Sequence, residues 1–215
     1  MKKTIFAAAL VASLFSATAG AVQVAPLYTV YEPATKAGVL KVTNTDPTPK
    51  TYQVIVDAWT VENGVSVRNA ATDIRFAPSV FTVKPGQMQT VRWARTGAPG
   101  ADEKAYRILV KEIPDPEVLK QEGIHNVMNI DSGWIFRPAS LSPQLTARAE
   151  GNSLIVTNSG NATARLVDLV SGAASIPGLV GYVLPGETKT IVLSKKPSGN
   201  VSVKINDKDA QIEVR

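Results

Sequence analysis

Phe81-Thr82-Val83-Lys84-Pro85-Gly86-Gln87-Met88-Gln89-Thr90-Val91 has a counterpart in Tyr182-Val183-Leu184-Pro185-Gly186-Glu187-Thr188-Lys189-Thr190-Ile191-Val192. In both copies a short apolar strand runs into Pro-Gly, and a second alternating run leaves it. Proline presets φ and glycine accepts a positive one, so the pair makes a tight turn between strands. Each copy is preceded by a strand that ends in Thr-Asn: Val39-Leu40-Lys41-Val42-Thr43-Asn44 in the first, Ser153-Leu154-Ile155-Val156-Thr157-Asn158 in the second. The interval from that Asn to the Pro is 41 residues in the first copy and 27 in the second, so the second is a trimmed version. Between these landmarks the periodicity is two: Thr51 to Val56, Val80 to Val83 and Met88 to Trp93 are β-branched and aromatic-rich. Asn44-Thr45-Asp46-Pro47 and Glu62-Asn63-Gly64 punctuate them as turns. Only Asp115 to Glu122 reads as a helical or irregular excursion. Short strands at this spacing predict an all-β chain of two sandwich domains, residues 22–138 and 139–215, with the boundary near Pro138-Ala139-Ser140.

The 215 residues suffice for two domains of about 100 each. Composition removes most enzyme chemistry. There is no cysteine, hence no thiolate metal site, cysteine nucleophile or disulfide, and one histidine, His125, so a multi-histidine metal centre is excluded. The two Gly-rich stretches, Gly172 to Ser175 and Gly178 to Gly181, lack the lysine and helix of a phosphate loop. No cofactor and no enzymatic activity are expected. Lys and Arg are scattered, with no run longer than Lys195-Lys196, which argues against nucleic acid as a partner.

Residues 1–21 read as an address. Lys2 and Lys3 form a positive n-region, Ile5 to Phe15 an apolar stretch of 11 residues, and Ala19-Gly20-Ala21 a small-residue cleavage site, with cleavage after Ala19 as the alternative. The apolar stretch is too short to span a bilayer, which takes about 20 residues. Removal of the leader leaves 194 residues with a formal charge of +3 rather than +5. A cysteine-free exported chain without an anchor is expected in the bacterial periplasm, with no membrane insertion of the mature form.

Four blocks then resemble the periplasmic chaperones of the chaperone–usher pilus pathway. They are Val39 to Asn44; Ala77-Pro78 with Val80 to Arg92; Tyr106-Arg107-Ile108-Leu109-Val110-Lys111-Glu112-Ile113-Pro114; and Phe136-Arg137-Pro138-Ala139. The second half matches more weakly, through Val156-Thr157-Asn158, Leu184-Pro185-Gly186 and Ile205-Asn206-Asp207. The resemblance implies two immunoglobulin-like β-sandwich domains joined at an angle. It implies pilus or fimbrial subunits as partners, with an outer-membrane usher as a second. A subunit that lacks its last strand exposes an apolar groove, and the chaperone lends an edge strand to fill it. Here that strand is expected between Gly123 and Trp134. Its donor face would be Ile124, Asn126, Met128 and Ile130, one parity with a single polar interruption. A strand that only completes the protein's own sandwich is the alternative. Self-association through the same exposed edge stays open.

Two further expectations follow from the resemblance. Glu103, Arg137 and Asp207 match the family's interdomain ion network, in which one planar guanidinium bridges two carboxylates. The family's carboxylate-anchoring Arg and Lys, by contrast, fall on Tyr28 and Gly133, neither of which forms a charge-assisted bond. Arg92 and Arg107 are the substitutes to consider, and alternation leaves the direction of both open. A structural or adhesin-type pilus component with the same fold and no folding role is the rival reading.

Overall fold

The structure, a computed structural model, describes residues 22–97, 99–120 and 122–214; the leader expected over residues 1–21 lies outside them. The first half forms β1 (Val22–Ala25), β2 (Tyr28–Tyr31), β3 (Ala37–Asn44), β4 (Lys50–Glu62), β5 (Val65–Ala70), β6 (Ile74–Ala77), β7 (Val80–Val83), β8 (Met88–Arg95), β9 (Lys104–Ile113) and β10 (Asn129–Phe136). A single turn of helix, α1 (Pro116–Leu119), lies between β9 and β10 and is capped by the Asp115 carboxylate, which accepts from the Glu117 N–H. One sheet runs β1-β3-β8-β6; the other runs β2-β10-β9-β4-β5, with β7 also paired to β4.

The second half supplies β11 (Leu145–Glu150), β12 (Ser153–Asn158), β13 (Ala164–Ser171), β14 (Ala174–Val183), β15 (Thr188–Val192), β16 (Val201–Ile205) and β17 (Lys208–Ile212). These sort into a three-stranded sheet, β11-β12-β15, and a four-stranded one, β14-β13-β16-β17. The fold is the expected pair of immunoglobulin-like sandwiches, the second smaller than the first.

Aromatic residues are distributed unevenly. Eight pack in or against the first core: Tyr31, Tyr52, Phe76, Phe81, Trp93, Tyr106, Trp134 and Phe136. Their rings meet edge-on or tilted, as at Trp93 and Trp134 with centroids 5.6 Å apart, the arrangement that the ring quadrupole favours. Trp93 also lies over its cross-strand partner Gly38, where a Cβ would come within 2.7 Å of the indole. The second core is aliphatic, built around Leu154, Leu166, Leu169, Val183 and Ile191. Three more aromatics, Tyr28, Trp59 and Tyr182, join Ala105, Ile135 and Leu184 in a separate cluster that contains residues of both sandwiches.

The internal repeat has a structural cause. Asn44 and Asn158 are each fully buried at a strand end. The Asn44 amide donates to the carbonyls of Thr48 (2.8 Å) and Val83 (2.9 Å), and the Asn158 amide to those of Ala162 (2.8 Å) and Val183 (2.9 Å). Each Asn main chain also pairs with its own Pro-Gly turn: Gly86 N–H donates to Asn44 O and Gly186 N–H to Asn158 O, both at 2.8 Å. One side chain thus ties the end of one sheet to the strand preceding the turn. Alanine at position 158 leaves two buried carbonyls without their donor, and at position 44 one buried and one partly buried. Asn44→Ala and Asn158→Ala are each expected to cost about 3 kcal/mol, read as a lowered urea midpoint at unchanged secondary structure.

Candidate functional site: an open edge and the cleft beside it

The chain crosses from one sheet of the first sandwich to the other at Pro26 and Leu27. β1 pairs antiparallel with β3, whereas β2 pairs in parallel with β10, in the register Gly133↔Tyr28 to Phe136↔Tyr31. β9 covers the opposite side of β10 along its whole length, from Asn129↔Lys111 to Phe136↔Lys104. Among the described residues, 129–132 therefore have a strand on one side only. The N–H groups of Gly133 and Arg137 donate to β2-side carbonyls, those of Leu27 and Tyr31. By strand alternation, Asn129 and Asp131 turn their N–H and C=O groups toward the uncovered edge.

The expected donor segment begins before this strand. The paired register with β9 runs to Asn129↔Lys111, one further main-chain bond joins Glu112 N–H to Met128 O, and Pro114, which falls opposite Asn126, has no N–H to continue it. Residues 123–127 consequently precede the strand without a place in its ladder, a shorter strand than alternation suggests. Ile124 is 93% exposed, and Met128 (39%) and Asn126 are exposed as well. Ile130 differs: it is partly buried against the protein's own first core, on the face that continues through Ser132, Trp134 and Phe136.

On the outer face of the same sheet, Tyr28 and Gly133 are cross-strand partners, and Gly133 is also opposite Arg107 on β9. The missing side chain has a visible consequence. A Cβ on Gly133 would lie 3.3 Å from Arg107 Nη1 and 3.6 Å from the Tyr182 ring, so the arginine fills the space that glycine leaves. Its guanidinium stands over Trp59 (4.8 Å) and Tyr182 (5.7 Å) and grips Asp131 through Nε and Nη2 at 2.9 and 2.8 Å. Arg68 Nη2 reaches the same carboxylate at 2.8 Å. Arg165, from the second sandwich, lies 5.0 Å from the Tyr28 ring centre. Burial pushes the Tyr28 phenol up from its usual value, against the lowering influence of Arg137 and Arg165, and keeps it neutral. Arg92 takes no part: it is exposed on β8, in the other sheet, opposite Val39 and Ala77. Sequence reasoning had no handle on Arg68, Arg165, Asp131 or Tyr182, whose proximity depends on the docking of two sheets and two domains.

Of the expected ion network, two members meet. Arg137 Nε is 3.3 Å from Glu103 Oε2, with both side chains at least nine-tenths buried. Glu103 Oε1 accepts from the Thr163 N–H at 2.9 Å and from the Thr163 hydroxyl, while Arg137 Nη1 donates to Thr163 O at 3.1 Å. Thr163 thus closes the ring between domains. Asp207 does not join it: its carboxylate is largely exposed and pairs with Arg165 at 2.7 Å, and its neighbour Asn206 is the residue that reaches Thr163 O. A second interdomain tie is the β4–β5 turn, where Thr188 N–H donates to Gly64 O at 2.8 Å.

Burial raises the Glu103 carboxyl above its ordinary value, despite the Thr163 bonds and Arg137. The folded chain then binds that proton more tightly than the unfolded one. The ionised form therefore costs stability above the folded value, and the cost is relieved as pH falls through it toward 4.5. Asp46, Asp73 and Asp168 are shifted the other way and weaken the fold only at lower pH. Acidification from pH 7.5 to about 5 is expected to raise the thermal midpoint, and Glu103→Gln to flatten that rise. Arg137→Ala strands the carboxylate and is expected to cost about 3 kcal/mol and to broaden the interdomain distances in small-angle scattering.

Comparison with known proteins agrees with this architecture. The family model described as pili and flagellar-assembly chaperone, PapD N-terminal domain, matches residues 21–142. No curated protein matches the chain. Among solved structures, the CsuC–CsuE chaperone–tip adhesion subunit complex of archaic Csu pili from Acinetobacter baumannii shares 20% identity at a TM-score of 0.71, over 90% of this chain and 98% of that one. The Salmonella enterica SafA pilin–SafB chaperone complex shares 22% at 0.63, over 89% and 92%. The E. coli chaperone DraB shares 20% at 0.64, over 91% and 97%. With the family motif covering more than half of its length, the chain belongs to the pilus-assembly chaperones of the PapD type.

Proposed function

We propose that the chain is a periplasmic, non-enzymatic chaperone, exported by the leader at residues 1–21, with domains at 22–138 and 139–215. It captures pilus subunits by adding a strand to them. The observation that carries this is the half-covered β10, open at 129–132 among the described residues and preceded by a segment whose Ile124 and Met128 are exposed. Strand addition needs both features: unpaired backbone groups for the ladder and alternate side chains for the groove. Each apolar side chain buried in the subunit contributes about 1.5–3 kcal/mol. Ile124 and Met128 carry that role, Asn126 interrupts it, and Ile130 divides its surface between the subunit and the protein's own core. The same exposure weighs against a purely structural pilus component, which would keep its edge covered once assembled. Among the described residues no helix is long and apolar enough to cross a membrane.

We infer that Arg107 carries the anchoring charge. It stands in line with Tyr28 and Gly133, and its Nη1 faces the space above the glycine. A subunit's terminal carboxylate would find its cation one strand away from the position where the family carries a lysine.

Two measurements test these roles. Ile124→Asp with Met128→Asp is expected to abolish co-purification of a co-expressed pilin subunit lacking its last strand, with an unchanged circular dichroism spectrum; unfolding of this variant would return the segment to the private core. Arg107→Met is expected to weaken capture of a subunit with a free C-terminus about tenfold, or about 1.4 kcal/mol, and to leave an amidated one unaffected.

A further inference from the structure

Glu112 is the last inward-facing residue of β9, continuing the buried face of Tyr106, Ile108 and Val110. It is a carboxylate where that series calls for another apolar side chain, and it is only 4% exposed. Both of its oxygens are engaged. Oε1 lies 3.0 Å from Lys50 Nζ, and Oε2 accepts the Met128 N–H at 3.0 Å. The Glu112 main chain completes the grip, its N–H donating to Met128 O at 3.1 Å. One residue thus holds both backbone polar groups of Met128, just where the ladder to β9 ends and the exposed segment begins.

Stability alone gives no reason for the charge. A buried ion pair is commonly no more stabilising than apolar residues of the same volume, and a leucine would close this end of the sandwich. The carboxylate does what a leucine cannot: it fixes one chosen amide. We propose that Glu112 is a positioning residue that sets the register of the lent strand, with Lys50 holding its charge in place. The inference rests on the strand-lending role proposed above. Side chains alternate with a period of two, so a slip of one residue turns the apolar set away from the subunit. A slip of two keeps the face but moves Ile124 and Met128 by about 7 Å, one groove pocket out of place. Pinning Met128 prevents both.

Two readouts test the pin. The first is amide hydrogen exchange of the free protein. Glu112→Leu is expected to lower Met128 protection at least tenfold while the Ile108 and Val110 amides keep theirs. Glu112→Gln, which retains an acceptor oxygen, is expected to restore it. If Glu112→Leu fails to fold, Glu112→Ala takes its place. The second readout uses the absence of cysteine from the chain. A single Cys in place of Ile124 is paired by oxidation with single cysteines along the groove of a pilin subunit that lacks its last strand. The parent chain is expected to give one dominant disulfide, and Glu112→Leu a spread over positions two residues apart. Unchanged Met128 protection, or one unchanged dominant disulfide in the variant, overturns the assignment. Failure of the parent chain to bind the subunit at all overturns the strand-lending role instead, and the exchange result still decides whether Glu112 pins Met128.

Discussion

The N-terminal strand changes sheets at Pro26 and Leu27, and the rest of the molecule depends on how little of β10 it then covers. β2 is four residues long and pairs only with Gly133 to Phe136. That half of β10 is sealed on both sides and carries the seam between domains, where Ile135 packs against Tyr182 and Leu184. Among the described residues, the remaining half has a neighbour on one side only. An uncovered edge is ordinarily a liability, blunted by charge, proline or a covering loop. In this chain it is the working surface, and the strand that presents it is held rigid at its far end by a buried interdomain contact.

The cleft shows how a missing side chain relocates a function within the same sheet. Gly133 alone would weaken a strand interior, since it brings no packing surface. Opposite Arg107, it instead lets a guanidinium settle between two aromatic faces while a carboxylate holds its remaining edge. The charge balance around Asp131 stays positive, because Arg68 and Arg107 both bind it. A planar cation that is stacked and bidentate in this way loses little entropy on meeting a further acceptor.

What the sequence made legible was whatever depends on local order. Asn44 and Asn158 could be matched because each ends a strand and is followed by a Pro-Gly turn, although the intervals between them differ. The pairing of Glu103 with Arg137 was legible through the family resemblance. That of Asp207 was not, because motif order cannot tell which of two arginines is nearer, and Arg165 is on the adjoining strand of its own domain. The stretch from Gly123 to Val127 alternates as a strand should, yet continuing the ladder beyond Met128 needs a donor opposite Asn126, and Pro114 has none. The direction of Arg107 was undecidable from its neighbours in sequence. The informative residue was Gly133, across the sheet and 26 positions away.

The uneven placement of the rings has an optical consequence. All three tryptophans belong to the first sandwich, Trp93 and Trp134 in its core and Trp59 at the seam. The aliphatic second core holds no chromophore that absorbs at the red edge of the near ultraviolet, and Tyr182 lies at the seam rather than within it. Intrinsic fluorescence and near-ultraviolet dichroism therefore watch one half of this molecule and its joint. Unfolding of the second sandwich on its own would pass unseen until the seam opened, so the far-ultraviolet signal, which counts backbone in both halves, is the one that records the whole chain.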